Sequence, residues 1–217
     1  NMELLKKHSP SSKNLTETIP TSIKVQITPS GENTVRLNNI LIHSMYDPVK
    51  EGRSFSKKVT NGSQVCLYGF GLGYHIESLL EKIGPDGFIL AIELNADLLN
   101  AAMILRNQSK LLLDKRIHNV YGLNEAIVAT EITQYMEKMQ STNTKNFQVV
   151  FHSPSFKCIP SSFPKLTNSL EVLLMERRFP AVLGDIEKEN YILNKAIVSQ
   201  SSGINCNHSK HKGKPVL

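Results

Sequence analysis

The sequence predicts an α/β fold: a Rossmann-like parallel sheet flanked by helices, with a small N-terminal antiparallel β-meander. Three observations predict it. The first is Val65-Cys-Leu-Tyr-Gly69-Phe-Gly71-Leu-Gly73-Tyr-His75, an apolar run and three alternating glycines. A helical pattern follows at once, with Ile76, Leu79, Leu80 and Ile83 recurring on one face. The second is the alternation of strand-like runs at 65–68, 88–92, 117–121 and 147–151 with helical patterns, which calls for right-handed βαβ units. The third is period-2 alternation between residues 22 and 43.

Taken in order, residues 2–8 have the pattern of a short helix, and 9–21 are rich in Ser, Thr, Pro and Asn and read as a loop. Ile23, Val25 and Ile27 then alternate with polar residues, as do Val35 and Leu37, with a turn at Pro29-Ser-Gly-Glu-Asn33. Ile40 and Ile42 follow Asn38-Asn39, making three strands. Asp47 is an expected helix N-cap with Pro48 at the first helical position, and Glu51 is spaced to complete a capping box. That helix should run to about Val59, before Asn61-Gly62 breaks it.

Beyond the glycines, Phe88-Ile-Leu-Ala-Ile92 ends in Glu93. Asn95 is spaced to cap a helix carrying Leu98, Leu99, Ala102 and Met103. A long helix is expected over about Asn124 to Gln140, with Ile127, Val128, Ile132, Tyr135, Met136 and Met139 on the helical period. His152-Ser-Pro-Ser155 lies just past the fourth strand. Further helices are expected over about 163–178 and 185–198. The resulting division is 1–60 for meander plus helix, 61–199 for the Rossmann-like domain, and 200–217 for a linker with the start of a following domain.

Composition narrows the function classes. The chain has 217 residues, of which 40% are hydrophobic, enough for a substantial core. No run reaches the ~18 apolar residues of a membrane span, so no membrane partner is expected. The net charge is +6, but residues 61–199 hold 13 basic and 14 acidic side chains, so the excess sits at the two ends. With no basic-aromatic interleaving, nucleic acid is not the expected partner. Cys66, Cys158 and Cys206 are odd in number and far apart, which suits a reducing cytoplasm. His208 and His211 stand in a polar tail without other ligands, so no metal is expected there, and no metal cluster has telling spacing elsewhere.

The candidate site is the glycine turn. Glycines permit a tight strand-to-helix turn and leave room for a ligand at the helix N-terminus. Glu93 lies 20 positions after Gly73, where such folds place an acid on a ribose hydroxyl. Gly69, Gly71, Gly73, Tyr74, His75 and Glu93 are therefore the candidate binding residues, for a nucleotide or an S-adenosylmethionine-like ligand. Replacing Gly71 with a bulky residue should then abolish binding and mostly spare the fold. The competing reading is that the glycines only permit the turn, that Glu93 faces water, and that His75 and His43 are lone structural histidines. The G-x-G-x-G spacing looks like the first motif of S-adenosylmethionine-dependent methyltransferases. The acid usual two places before the first glycine is replaced by Leu67.

Ile42-His43-Ser44-Met45-Tyr46-Asp47-Pro48 followed by Gly69-Phe-Gly71-Leu-Gly73-Tyr74-His75 resembles the N-terminal part of the motility accessory factor (Maf) family, whose central domain is similar to the archaeal pterin diphosphokinase. Phe151-His-Ser-Pro-Ser-Phe156 resembles a "His-Pro-Ser-Tyr" segment of that family less closely. The resemblance covers about residues 20–217. It implies an N-terminal Rossmann-like module of a glycosyltransferase that attaches nonulosonic acids to flagellin. It also implies flagellin and the protein's own C-terminal catalytic domain as partners. The family's sugar-nucleotide site lies in that following domain, and Lys214-Pro-Val-Leu217 looks like its first strand beginning. On that reading this chain holds no catalytic residue. The alternative is a methyltransferase-like enzyme using S-adenosylmethionine.

Overall fold

The computed structural model describes Glu3 and residues 18–122, 124–142 and 146–168. By packing the chain divides into two units, Asn1–Glu171 and Val172–Leu217. The second lies outside the described residues, as do the expected helix over 185–198, all but Glu3 of the one over 2–8, and most of the one over 163–178, of which residues 164–168 are helical.

Strands β1 (Ile23–Ile27), β2 (Asn33–Leu37) and β3 (Ile40–Leu41) form the predicted antiparallel meander. Asn38 and Asn39, at φ 47° and 65°, make the tight left-handed turn between β2 and β3. Val35, Leu37 and Ile42 are buried, and only Ile23 of β1 is, while Ile27 is 78% exposed. The alternation correctly marks the strand, but the face it defines on β1 is covered only at its first residue.

Helix α1 (Pro48–Ser56) starts as expected, with Asp47 Oδ1 accepting from Lys50 N at 2.8 Å. Glu51 does not close a capping box. Its carboxylate reaches back to Ser44 N at 2.8 Å and to His43 Nδ1 at 3.2 Å, pinning the strand-to-helix connection instead. The helix ends at Ser56, not near Val59.

The main sheet contains β4 (Gln64–Tyr68), β5 (Phe88–Glu93), β6 (Ile117–Tyr121) and β7 (Phe147–Phe151), all parallel, in the order β6-β5-β4-β7. The fold is the Rossmann-like parallel sheet with an antiparallel meander. β4 is internal and wholly buried, as its unbroken apolar run requires of a strand covered on both faces. Helix α2 (Tyr74–Ile83) buries Ile76, Leu79, Leu80 and Ile83. Helix α3 (Ala96–Leu105) is capped by Asn95 Oδ1 on Leu98 N at 3.1 Å and buries Leu98, Leu99, Ala102 and Met103. A short α4 (Ser109–Leu113) precedes β6.

Helix α5 (Glu125–Thr142) buries Val128 and Ile132, whereas Ile127, expected on the same face, is 61% exposed. Positions 128 and 132 set the buried stripe, and 127 falls beside it. Helix α6 (Ser153–Phe156) directly follows β7. From β4 the chain winds outward through β5 to β6, then returns across the sheet to place β7 on the other side of β4. The carboxyl ends of β4 and β7 therefore flank the point where the winding reverses, which is where open α/β sheets form their crevice.

Candidate functional site

The glycine turn leaves β4 at Tyr68. Gly69, Gly71 and Gly73 have φ of 99°, 52° and 86°, a region that side chains disfavour. They are also crowded. A Cβ at Gly69 would lie 2.6 Å from Ser155 Cβ, one at Gly71 2.6 Å from His43 Nε2, and one at Gly73 2.7 Å from Gln108 Oε1. The space beside each glycine is filled by the protein's own side chains.

The amides of the turn are likewise taken. Gly69 N donates to Ile92 O at 2.8 Å and Gly73 N to Phe70 O at 2.9 Å. Phe70 N and Gly71 N both donate to Glu93 Oε2, at 3.0 and 3.4 Å. Leu72 N donates to His43 Nε2 at 2.9 Å. All five amides from 69 to 73 thus have acceptors within the chain. A phosphate cradle needs such donors free.

Glu93 is 1% exposed, so it does not face water. Its second oxygen accepts from Asn95 N at 3.0 Å. Burial pushes the Glu93 carboxyl up to about 7, against the pull of those backbone donors. The acid that the spacing assigns to a ribose is spent on closing the loop.

Tyr74 turns toward the meander. Its hydroxyl donates to Asn33 O at 2.8 Å and lies 3.0 Å from Glu32 Oε2, and the Arg106 guanidinium sits 3.8 Å over its ring. Arg106 also donates to Leu72 O at 2.7 Å and to Glu77. Tyr74 thus joins α2 to the meander, and burial raises its phenol above the ordinary range.

His75 is not a lone histidine, and neither is His43. His43 follows β3, His75 lies in the first turn of α2, and His152 immediately follows β7. The three meet. Ring centroids are 4.3 Å apart for His75 and His152, with planes 9° from parallel. They are 4.8 Å apart for His43 and His152, and 5.5 Å for His43 and His75. One ring nitrogen from each lies within 4.8 Å of those of the other two.

The remaining nitrogens are anchored. His43 Nδ1 donates to Glu51, His75 Nε2 donates to Gly69 O at 2.8 Å, and His152 Nδ1 pairs with Ser155 Oγ at 2.8 Å. His75 Nδ1 and His152 Nε2 are buried with no partner. Burial holds all three imidazoles neutral, driving His75 down to about 3, His152 well below the usual range, and His43 down against the pull of Glu51. The trio borders a cavity of about 280 Å³ with Glu51, Phe55 and Lys58 of the α1 region on one side and Ser153 and Pro154 on the other. A larger groove of about 750 Å³ lies away from the glycine turn, beside Gly84 and Arg116. Its main cation is already held by Asp114 at 2.6 Å and by two backbone carbonyls. The histidine cavity is the better candidate because it sits at the reversal point of the sheet.

The structure brings Gly69, Gly71, Gly73, His75 and Glu93 together, with Tyr74 facing away. His43 and His152 are the members of the site that the motif reading missed. The available signal was position: His152 stands one residue past β7, and two adjacent parallel strands must bring their carboxyl ends together. Cys66 is buried in β4, its thiol pushed up to about 12 by burial, and serves as a small apolar core residue.

No protein-family model matches the chain, and no curated protein matches it. Among solved structures, the chain is similar to the MAf glycosyltransferase from Magnetospirillum magneticum AMB-1, at 16% identity and a TM-score of 0.39. That match covers 63% of this chain and 29% of the other. It is also similar to Aeropyrum pernix fibrillarin in complex with S-adenosyl-L-methionine, at 13% identity and a TM-score of 0.24, covering 46% of this chain and 52% of that one. Likeness at this level does not bear on activity. Among the described residues no helix is long and apolar enough to cross a membrane.

Proposed function

We propose that this chain is the N-terminal Rossmann-like module of a motility-accessory-factor-type glycosyltransferase that attaches nonulosonic acids to flagellin, and that transfer requires a catalytic domain beyond it. One observation carries the reading. The three segments behind the resemblance, far apart in sequence, interlock at one place. His43 accepts from Leu72 of the glycine turn, and Ser155 and His152 crowd Gly69. The pattern His-Ser-x-Tyr-Asp-Pro with Gly-x-Gly-Leu-Gly-Tyr-His is thus one physical unit, in which each motif supplies the other's hydrogen-bond partners. The closed turn supports a supporting or acceptor-gripping role more than it supports S-adenosylmethionine chemistry, because both oxygens of Glu93 and the turn's amides are engaged.

The test uses a nucleotide-activated nonulosonic acid, flagellin, and either this chain alone or the chain extended by the domain expected after Leu217. Transfer is read by intact mass. Transfer only with the extension is the expected result. Transfer by this chain alone contradicts the non-catalytic role, and no transfer with either contradicts the glycosyltransferase reading. Calorimetric binding of S-adenosylmethionine to the chain points instead to the methyltransferase-like alternative.

A further inference from the structure

The three histidines have an arrangement that packing alone does not account for. Two buried ring nitrogens, His75 Nδ1 and His152 Nε2, have no hydrogen-bond partner, and they belong to rings that stack on each other. The opposite nitrogen of each ring is fixed by a hydrogen bond, His75 to the Gly69 carbonyl and His152 to Ser155 Oγ. His43 is oriented by the Glu51 carboxylate. A ring held from behind by a carbonyl or hydroxyl, with its other nitrogen bare, is the arrangement of a metal-ligating histidine, and His75 and His152 both show it, while His43 Nε2 accepts from Leu72 N. Neutral imidazole is the ligating form, and burial keeps these rings neutral.

We propose that His43, His75 and His152 bind one divalent transition-metal ion of the zinc class, with a remaining coordination position open to the cavity that Glu51 borders. Three imidazoles with no thiolate suit zinc, copper, nickel or cobalt, and not calcium or magnesium. Binding has a structural consequence. Zinc–nitrogen bonds of about 2.0–2.1 Å require the three donors to draw closer than the 4.8 Å they now span. His75 and His152, stacked nearly parallel, must tilt apart so that both lone pairs reach one ion. His43 must give up its bond from Leu72 N and ligate through Nε2, keeping Nδ1 on Glu51. The inference does not depend on the glycosyltransferase reading. A metal site supports either role for the module, and lack of glycosyl transfer leaves it unchanged.

The test uses the whole chain, stripped with a chelator and shown to be folded by circular dichroism, then titrated with zinc by calorimetry and with cobalt by visible absorption. One ion per chain is expected, with the intense visible bands of a tetrahedral cobalt centre. A His208→Ala/His211→Ala variant, which removes the two tail histidines, should bind equally well. His75→Gln should abolish binding. Glu51→Gln, which touches no ion, should weaken it by about 10- to 100-fold. Glu51 is half-exposed, so this variant decides the matter if His75→Gln does not fold. Absence of stoichiometric uptake by the folded chain overturns the proposal. So does uptake that is lost with the tail histidines or unchanged in His75→Gln and Glu51→Gln.

Discussion

Gly71→Ala tests the closed turn against the view that its glycines leave room for a ligand. Gly71 has φ 52°, and a Cβ there would lie 2.6 Å from His43 Nε2 and 3.1 Å from His43 Cε1. The His43 ring cannot swing away cheaply. It packs edge-on against Tyr74, stacks on His152 and is tied to Glu51. The left-handed backbone alone costs an alanine about 1–2 kcal/mol. Displacing His43 breaks its bond from Leu72 N and leaves a buried donor unpaired, at about 1–3 kcal/mol more. The variant should therefore lose about 2–5 kcal/mol. Gly31→Ala is the control, since Gly31 has φ 85° and nothing within 4 Å of its Cβ position. It should lose only the backbone contribution, about 1–2 kcal/mol. Urea unfolding followed by circular dichroism measures both. Equal losses at the two positions would refute the reasoning, because the excess at Gly71 is the cost of His43. This also replaces the expectation that a bulky residue at Gly71 spares the fold.

Three further outcomes follow from the same contacts. In chelator, stability should fall as pH drops below about 6.5. A base with a lowered folded pKa contributes above its unfolded value and loses that contribution in acid, so His75, lowered to about 3, loses on the order of 1 kcal/mol between pH 7.5 and 5.5. His43 and His152 act in the same sense. Glu93, raised to about 7, acts oppositely and gains on the order of 1–2 kcal/mol over that window, so a urea midpoint that rises from pH 7.5 to 5.5 would mean the histidines do not dominate. Asp47→Ala removes the α1 cap and should cost about 1 kcal/mol, and an unchanged urea midpoint would contradict the capping role. Arg106→Lys keeps the charge but loses the stack on Tyr74 and the paired contacts to Leu72 O and Glu77, and should cost about 1–2 kcal/mol, visible as a lower urea midpoint.

The strands were legible because a parallel strand buried on both faces is an unbroken apolar run, as in Val65–Tyr68 and Phe88–Ile92. The caps Asp47 and Asn95 were legible because their chemistry is local. The partners of the glycine turn were not. Glu93 reaches Phe70 and Gly71 only because β5 lies directly beside β4, and His152 meets His75 only because β7 takes the other side. Strand order is set by the crossover of α5, a long-range event that periodicity does not encode. The exposed Val25 and Ile27 make the same point. Alternation shows that two faces exist, and the rest of the fold decides whether either is covered.

Amide hydrogen exchange at Phe70, Gly71 and Leu72 tests most directly whether the turn is closed on itself. In the ligand-free protein these three amides donate to Glu93 and His43, both buried. They should exchange slowly, through large-scale opening, at rates that neither S-adenosylmethionine nor a nucleotide sugar alters. Fast exchange in the free protein, slowed when either ligand is added, would show an open cradle awaiting its ligand and would contradict the account.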